Sequence, residues 1–302
     1  MPRPRRDIMG ISDLRVGLIG HSHAVCLLDA LGNWRDQAGL STAAQDRRYS
    51  EAFRGWFDVD LGGNAFTLAV GRTSFRAPAE LVTCLLTAKA SGDLIQSRDI
   101  GGLKQVRATP LFARCVEQLR NIDIVVSALH GNEAANVSLI DNHPSYDFAP
   151  YDDNDALRLT PPPSQPIDRR HIARWVDSFA QPAILSVTAL QQSLPSTRVV
   201  HVLPPPPLED PSQVMRREVL ETLLAHHGFV RPSLRLKWSL AYRARVQTAL
   251  EAQGIQVMEV PHAALTAGGF LRKDLSEGLT HGNGHYGAMI WEALDRLVGS
   301  AQ

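Results

Sequence analysis

The sequence predicts an α/β protein whose parallel sheet is covered by helices on both faces. Segments with apolar residues at helical spacing alternate along the chain with short apolar runs at 16–19, 122–129, 198–203 and 255–260. The run at 122–129 is β-branched and almost uninterrupted, which is typical of a strand buried on both faces. Strands and helices that alternate in this order indicate βαβ units, and therefore a parallel sheet.

The other elements follow from the same periodicities and from boundary residues. Helices are predicted from 24 to about 37, from 134 to about 140, and at 78–90, 111–119, 167–194, 211–226, 234–253 and 283–297. Pro182 predicts an interruption in the helix at 167–194. A strand is predicted at 57–61, before the loop signal Gly62-Gly63-Asn64, and a Gly-containing loop at 99–104.

One domain accounts for the chain. Its 302 residues would also allow two domains of about 150 residues, but no repeat or clean boundary divides it. Residues 1–13 are expected to form a loose tail and 14–302 the domain. The Pro/Asp-rich stretch at 141–168 is a long connection of a kind that is usually functional or disordered. It is interpreted either as a lid over the site or as a solvated insertion.

Composition excludes several classes of function. Lys+Arg and Asp+Glu both number 31, so the chain lacks the basic excess of a nucleic-acid surface. It has no apolar run of the roughly 18 residues that span a membrane, and its basic start, Met-Pro-Arg-Pro-Arg-Arg, is not followed by a signal-peptide core. Cys26, Cys84 and Cys115 have no CxxC spacing and are expected to be buried thiols in a reducing compartment. A cytoplasmic protein is therefore expected.

The stretch Leu14-Arg-Val-Gly-Leu-Ile-Gly-His-Ser-His-Ala24 predicts a strand, a tight turn and a helix. Ser22 lies in the turn, at the carboxyl end of a strand, where open α/β sheets place their sites. Its backbone N–H points from a helix N-terminus and favours an anion such as a tetrahedral oxyanion. On this stretch alone, a serine that only caps the helix is an equal alternative.

A second stretch, Glu277-Gly-Leu-Thr-His-Gly-Asn-Gly-His-Tyr-Gly287, precedes the last predicted helix. With a serine after the first strand and a histidine before the last helix, the chain resembles the SGNH (GDSL-like) hydrolases. The resemblance implies a flavodoxin-like three-layer fold and a Ser–His centre. Members of that family are esterases, lipases, deacetylases and occasionally acyltransferases.

Short blocks carry the resemblance across nearly the whole chain. Gly20-His-Ser-His23 stands where the family has Gly-Asp-Ser-Leu, so Ser22 takes the place of the nucleophile. The run 129–133, Leu-His-Gly-Asn-Glu, stands where the family has Gly-x-Asn-Asp. His281-Gly-Asn-Gly-His-Tyr-Gly resembles the family's His-x-Asn-x-x-Gly-Tyr run and makes His281 the general base.

The resemblance also implies an oxyanion hole. Its side-chain donor would be Asn132, and its glycine donor is expected at Gly62 or Gly63. The backbone N–H of Ser22 completes the set. Each such donor is worth roughly 10²–10³-fold in rate.

Two departures from the family pattern concern the groups around Ser22 and His281. The family has an aspartate three residues before its catalytic histidine, where this chain has Gly278. Glu277 and Asp274 are the nearby carboxylates that could orient His281, and without them a backbone carbonyl would steady a Ser–His dyad. A histidine also replaces the aspartate of the first block. Candidates for substrate contact are His21, His23, His130 and His285.

The chemistry that follows is acyl transfer to Ser22 from an ester, with His281 taking the proton. The expected substrate is a small-molecule or carbohydrate acyl ester, and no cofactor is expected. Two alternatives stay open. One is an O-acyltransferase of the same type, and the other is a catalytically degenerate, sugar-binding protein, which the missing aspartate favours.

Two other enzyme classes fit less well. Gly20-His-Ser-His-Ala24 is one residue short of the nucleophile elbow of α/β-hydrolases, which follows several strands rather than the first. Metallophosphoesterases carry similar Gly-His-x-His and Gly-Asn-His blocks, but in the reverse order and with an Asp-x-His that this chain lacks. His281 and His285 are four residues apart, but glycines separate them and no Glu lies between them, so no metal is expected.

Overall fold

The structure, a computed structural model, describes residues 11–32, 64–70, 76–78, 80–86, 94–100, 103–131, 133, 139, 146–149, 165–212 and 228–300. The described strands and α-helices are, in chain order, β1 (Arg15–Gly20), α1 (Ser22–Asp29), β2 (Asn64–Ala69), β3 (Glu80–Leu85), β4 (Ile95–Ile100), β5 (Leu103–Ala108), α2 (Pro110–Gln118), β6 (Ile124–Ala128), β7 (Tyr146–Asp147), β8 (Gln165–Pro166), α3 (Arg169–Ser193), β9 (Arg198–Val202), α4 (Pro232–Glu251), β10 (Gln256–Met258), β11 (Ser276–Glu277), β12 (His281–Gly282) and α5 (Gly284–Gly299).

The main sheet has the strand order β10-β9-β6-β1-β3-β2. All neighbours are parallel except the edge strand β2, which is antiparallel to β3. The five parallel strands therefore follow the order 2-1-3-4-5, read from β3 to β10, which is the flavodoxin-like arrangement. This confirms the predicted α/β fold class. The chain reverses its direction of winding between β1 and β6, and that position opens a crevice at the carboxyl ends of both strands.

Helices cover both faces of the sheet. Val16 and Leu18 of β1 join the apolar core beneath α1 and α5. Ile19 joins the second core, beneath α2, α3 and α4. Alternate residues of a strand point to opposite faces, so a strand between two helical layers needs apolar residues at both. β6 shows this most fully, because all five of its residues are buried.

Two stretches fold differently from their predicted form. The segment 78–90, predicted as a helix, contains strand β3, which pairs with β1 and β2. Burial of Leu81–Cys84 between two neighbouring strands outweighs the helical spacing of its apolar residues. The predicted loop at 99–104 lies within the antiparallel pair of β4 and β5, whose register runs from Ile95↔Ala108 to Ile100↔Leu103.

Helix α3 continues through Pro182 without the predicted interruption. A proline inside a helix costs about 3 kcal/mol. Complete burial of Ala180 and Ala183 on either side of it offsets that cost through packing on the sheet. Predicted helices at 111–119, 234–253 and 283–297 agree with α2, α4 and α5 to within a few residues. The predicted strand at 57–61, and the predicted helices at 134–140 and 211–226 except for a few residues, lie outside the described residues.

Residues 11–13 pack on the domain and are not part of a loose tail. They form a 3₁₀ turn in which Ile11 is fully buried. The backbone N–H of Ile11 donates to the Asp295 carboxylate of α5 at 3.0 Å. None of the helices in the described part of the chain is both long and apolar enough to cross a membrane.

Both ends of the 141–168 connection are anchored in the domain. Its described residues include β7 and β8, which pair in parallel. The buried carboxylate of Asp147 lies 2.8 Å from the ammonium group of Lys237 on α4, and both side chains are almost completely buried. Asp147 also accepts the backbone N–H of Phe148 at 2.8 Å.

Candidate functional site

Ser22 is the first residue of α1, and His21 alone makes the turn from β1. The predicted strand, turn and helix are confirmed. Helix capping does not explain this serine, because His21 occupies the N-cap position and no side-chain cap forms there. Gly20 is required by close packing, since a Cβ on it would lie 2.7 Å from the carbonyl oxygen of Ala128 in β6. Ser22 therefore stands beside the crevice between β1 and β6, and it is 7% exposed.

Close packing between α1 and α5 fixes the second half of the site. A Cβ on Gly287 would lie 1.9 Å from the carbonyl oxygen of Cys26, so only glycine allows the two helices to approach this far. Trp291 is fully buried, and its indole N–H donates to the carbonyl oxygen of Leu27 at 2.9 Å. The start of α5, and the β11–β12 hairpin that precedes it, are thereby held against the first turns of α1.

This packing brings His281 to the residue that follows Ser22. The imidazole rings of His23 and His281 lie 4.7 Å apart between centroids, at an interplanar angle of 31°. His23 is itself buried, and a Cβ on Gly131 would lie 3.0 Å from its Nε2. Gly131 has φ +125°, so both its backbone conformation and the space beside His23 require glycine.

Two groups flank His281 on its hairpin. Glu277 is its direct partner across the antiparallel pair. Side chains of directly opposite residues lie on one face of the ribbon, with Cβ atoms about 5 Å apart. The hydroxyl of Thr280 lies 3.0 Å from Nδ1 of His281. Sequence reasoning missed Thr280, and a hydroxyl next to the histidine in sequence was the one signal available.

Asp274 is directed away from this role. Its two carboxylate oxygens bind the guanidinium group of Arg272 at 2.6 and 3.1 Å. Its carbonyl oxygen accepts the side-chain N–H of Asn283, the N-cap of α5, at 2.9 Å. Asp274 thus stabilises the loop before α5. Of the two predicted carboxylates, only Glu277 remains a candidate partner of His281.

The turn after β6 is held by a partly buried carboxylate. His130 has φ +63°, and its Nδ1 lies 2.8 Å from the carboxylate of Glu133. Glu133 also accepts the backbone N–H of Gly131 at 2.8 Å and the hydroxyl of Tyr242 at 3.4 Å. Burial would raise the pKa of Glu133, but the hydrogen bonds from His130 and Gly131 outweigh it and lower that pKa to about 2. Glu133 is therefore ionised at neutral pH.

His130 links this turn to two other elements. Its Nε2 lies 3.3 Å from the hydroxyl of Ser186 on α3. Its backbone N–H donates to Nδ1 of His21 at 3.2 Å, and the centroids of the His21 and His130 rings lie 5.2 Å apart. His21 is 5% exposed, and burial, aided by His130, lowers its pKa to about 3. The His21 ring is therefore neutral.

Ser186, His130 and Glu133 form a serine–histidine–carboxylate chain that sequence reasoning did not find. Such a chain is recognised by geometry rather than by sequence order. Ser186, however, is 2% exposed and lies within α3, where its backbone N–H is used by the helix. It therefore has neither access to substrate nor a free N–H beside it for an oxyanion.

The remaining predicted site residues are located as follows. Gly62, Gly63 and Asn132 lie outside the described residues. His285 is exposed in the first turn of α5, where its backbone N–H donates to Asn283. In the described ranges, no three His, Cys, Asp or Glu side chains are grouped to hold a metal ion. Cys26, Cys84 and Cys115 are buried free thiols, as predicted.

No protein-family model and no curated protein sequence matches this chain. Several solved structures are similar to this chain. An extracellular lipase from Streptomyces rimosus is 10% identical, with 94% of this chain and 99% of that chain covered and a TM-score of 0.46. Phospholipase A1 from Streptomyces albidoflavus is 11% identical, with 93% and 97% covered and a TM-score of 0.43. A GDSL-like lipase from Bacteroides thetaiotaomicron is 11% identical, with 95% and 89% covered and a TM-score of 0.42.

Proposed function

We propose that this protein is an SGNH-type serine esterase that cleaves a small acyl ester, with Ser22 as nucleophile and His281 as general base. One observation carries this proposal: the His281 ring lies 4.7 Å, between centroids, from the ring of His23, the residue directly after Ser22. The imidazole thus reaches the first turn of α1 from the far end of the chain. Ser22 itself stands at the carboxyl edge of the sheet, beside the point where the winding reverses.

The hairpin prepares His281 for proton transfer. When the Thr280 hydroxyl accepts the proton of Nδ1, the lone pair of His281 lies on Nε2 and is available as a base. Glu277, opposite His281 on the ribbon, stabilises the imidazolium that forms. In this role Thr280 and Glu277 together replace the aspartate that the family places three residues before its histidine.

The reaction then runs in two steps. The Oγ of Ser22 attacks the ester carbonyl carbon while its proton moves to His281. The backbone N–H of Ser22, at the N-terminus of α1, donates to the oxyanion, and Asn132 with Gly62 or Gly63 supplies the further donors implied by the family resemblance. Collapse expels the alcohol, which takes the proton from His281. Water then adds to the acyl-Ser22 carbonyl and releases the acid.

Transfer of the acyl group to a second alcohol, such as a sugar hydroxyl, is the alternative outcome of the same intermediate. The low exposure of Ser22 and His23, 7% each, favours it, since a site with little access for water prolongs the life of the acyl-enzyme. Product analysis with and without added sugar alcohols separates hydrolysis from transfer.

Intact-mass analysis after fluorophosphonate treatment tests the nucleophile. We expect one adduct on the wild-type protein, none on Ser22→Ala, and strongly slowed labelling of His281→Gln. Ser186→Ala is the matched control, because it removes a serine whose hydroxyl lies 3.3 Å from Nε2 of His130. Its labelling should match the wild type.

Loss of the adduct in Ser186→Ala rather than in Ser22→Ala would identify Ser186, next to His130, as the nucleophile. If the folded wild-type protein forms no adduct, the esterase proposal is wrong and the sugar-binding alternative replaces it.

A further inference from the structure

The hydrogen bonds of His21 determine which of its nitrogens carries the proton. The backbone N–H of His130 donates to Nδ1 of His21 at 3.2 Å. Nδ1 therefore presents a lone pair and holds no hydrogen. In a neutral imidazole the proton is then on Nε2, which makes Nε2 a donor.

The surroundings keep the ring neutral and fixed. Burial, His130 and His23 lower the pKa of His21 to about 3, and Glu133 opposes them only in part. His130, which supplies the N–H, is itself held by Glu133 at 2.8 Å and by Ser186 at 3.3 Å. The orientation of the His21 ring is thus set by three parts of the chain: the end of β1, the turn after β6, and α3.

The Nε2 donor of His21 has no acceptor within the described part of the chain, although it is fully shielded from solvent. Buried donors in native proteins are nearly always paired, so an orphan of this kind calls for an explanation. This one belongs to the residue directly before Ser22, in the turn at the carboxyl end of β1. An acceptor supplied by a bound ligand accounts for both its location and its lack of a partner.

We propose that the Nε2–H of His21 donates a hydrogen bond to the bound acyl ester, at the oxygen that becomes negative when Ser22 attacks. This role rests on the proposed function of Ser22. A neutral imidazole donor strengthens its bond as charge develops on that oxygen, and it carries no charge that would have to be neutralised beforehand. The histidine that replaces the family's aspartate thereby gains a function of its own, and the network of His130, Glu133 and Ser186 serves to fix its tautomer.

Two substitutions separate the two nitrogens of His21. His21→Asn places an amide oxygen near the position of Nδ1, so it keeps the acceptor for His130 and loses the distal donor. His21→Gln reaches the position of Nε2 with an amide N–H and loses the proximal acceptor. Both variants are neutral, and circular dichroism with thermal unfolding checks that each is folded.

The measurement is the rate at which a fluorophosphonate labels Ser22. In that step the serine oxygen forms a bond to phosphorus, its proton passes to His281, and fluoride leaves with the electrons of the P–F bond. The phosphonyl oxygen takes the place of the oxyanion. We expect His21→Asn to slow labelling by about 10²–10³-fold, the usual effect of losing one oxyanion donor. His21→Gln should recover at least about 10-fold of this loss.

A second measurement follows the ring directly. With ¹⁵N-labelled histidine, the free protein should show the Nε2–H tautomer at His21, and its N–H resonance should shift when Ser22 is phosphonylated. Labelling of folded His21→Asn at the wild-type rate, or an Nδ1–H tautomer, would overturn this role while leaving Ser22 as the nucleophile. A wild-type protein that is never labelled would instead overturn the proposed function, and the role of His21 with it.

Discussion

Trp291 donates its indole N–H to the carbonyl oxygen of Leu27 at 2.9 Å, and so ties the last helix to the first. Both residues are buried, because Trp291 is completely inaccessible to solvent and Leu27 is 1% exposed. Since α1 begins with Ser22 and α5 follows the His281 hairpin, any change in the spacing of these helices alters the distance between the proposed nucleophile and the proposed base.

Gly287→Ala should therefore damage both stability and activity. The added methyl group would lie 1.9 Å from the carbonyl oxygen of Cys26, and the two helices must separate to admit it. Overpacking of this kind costs about 1–3 kcal/mol, which urea unfolding would measure. Gly299→Ala, in the same helix but with no atom within 4 Å, is the control and should leave the free energy of unfolding within about 1 kcal/mol of the wild type. Equal stability of both variants would contradict this account of the helix contact.

Thr280→Val should slow the labelling of Ser22 with little effect on folding. The substitution conserves shape and removes the hydroxyl that lies 3.0 Å from Nδ1 of His281. We expect a decrease between about 10-fold and 10⁴-fold, the upper figure being the cost of a wrong tautomer in a serine protease. Thr280→Ser keeps the hydroxyl and should stay close to the wild type. If valine and serine behave alike, the hydroxyl does not orient His281.

Glu133→Gln should make the free energy of unfolding fall less steeply as the pH is lowered. The pKa of Glu133 falls to about 2 in the folded protein from an ordinary value of 4.5. A carboxylate with a depressed pKa contributes stability that is full above its unfolded pKa and is lost as the pH falls through its folded value. The contribution is of the order of 3 kcal/mol and disappears between about pH 4.5 and pH 2. Urea midpoints measured across that window should decline less steeply for Glu133→Gln, and parallel declines would refute the assignment.

Lys237→Met should be among the most destabilising single changes in the protein. It leaves the Asp147 carboxylate buried without its 2.8 Å ammonium partner. Breaking a buried ion pair from one side costs about 3–5 kcal/mol. The double variant Lys237→Met with Asp147→Asn removes both charges and should be more stable than Lys237→Met alone, as measured by urea unfolding. A double variant that is less stable than Lys237→Met would show that charge is not the cause.

The local parts of this structure are the ones that the sequence predicts. Strand β1, the turn at His21 and helix α1 follow one another within fifteen residues, and each has its own signal in the apolar pattern. Strand β3 was missed because its form depends on β1 and β2 on either side, and neither partner is visible in its own spacing. A proline near the start of a segment is also compatible with either a helix or a strand.

Contacts between residues that are distant along the chain could not be predicted, for the same reason. Ser186 and Asp147 gave no signal in sequence, because their partners His130 and Lys237 are distant along the chain. The predicted roles of Glu277 and Asp274 were equal in sequence. They differ in the structure because Glu277 lies opposite His281 on the hairpin, whereas Arg272 binds Asp274. Burial and pairing in three dimensions made that distinction.

The docking of α5 on α1 has a consequence for the order in which the protein is made. The segment with Ser22 leaves the ribosome well before the segment with His281, because most of the 302 residues lie between them. Until α5 emerges, that helix cannot cover the apolar side of α1 that packs against Trp291, and Ser22 lacks its proposed base. The proposed Ser22–His281 centre is therefore completed only after α5 has been synthesised, and the same docking step removes the apolar side of α1 from solvent.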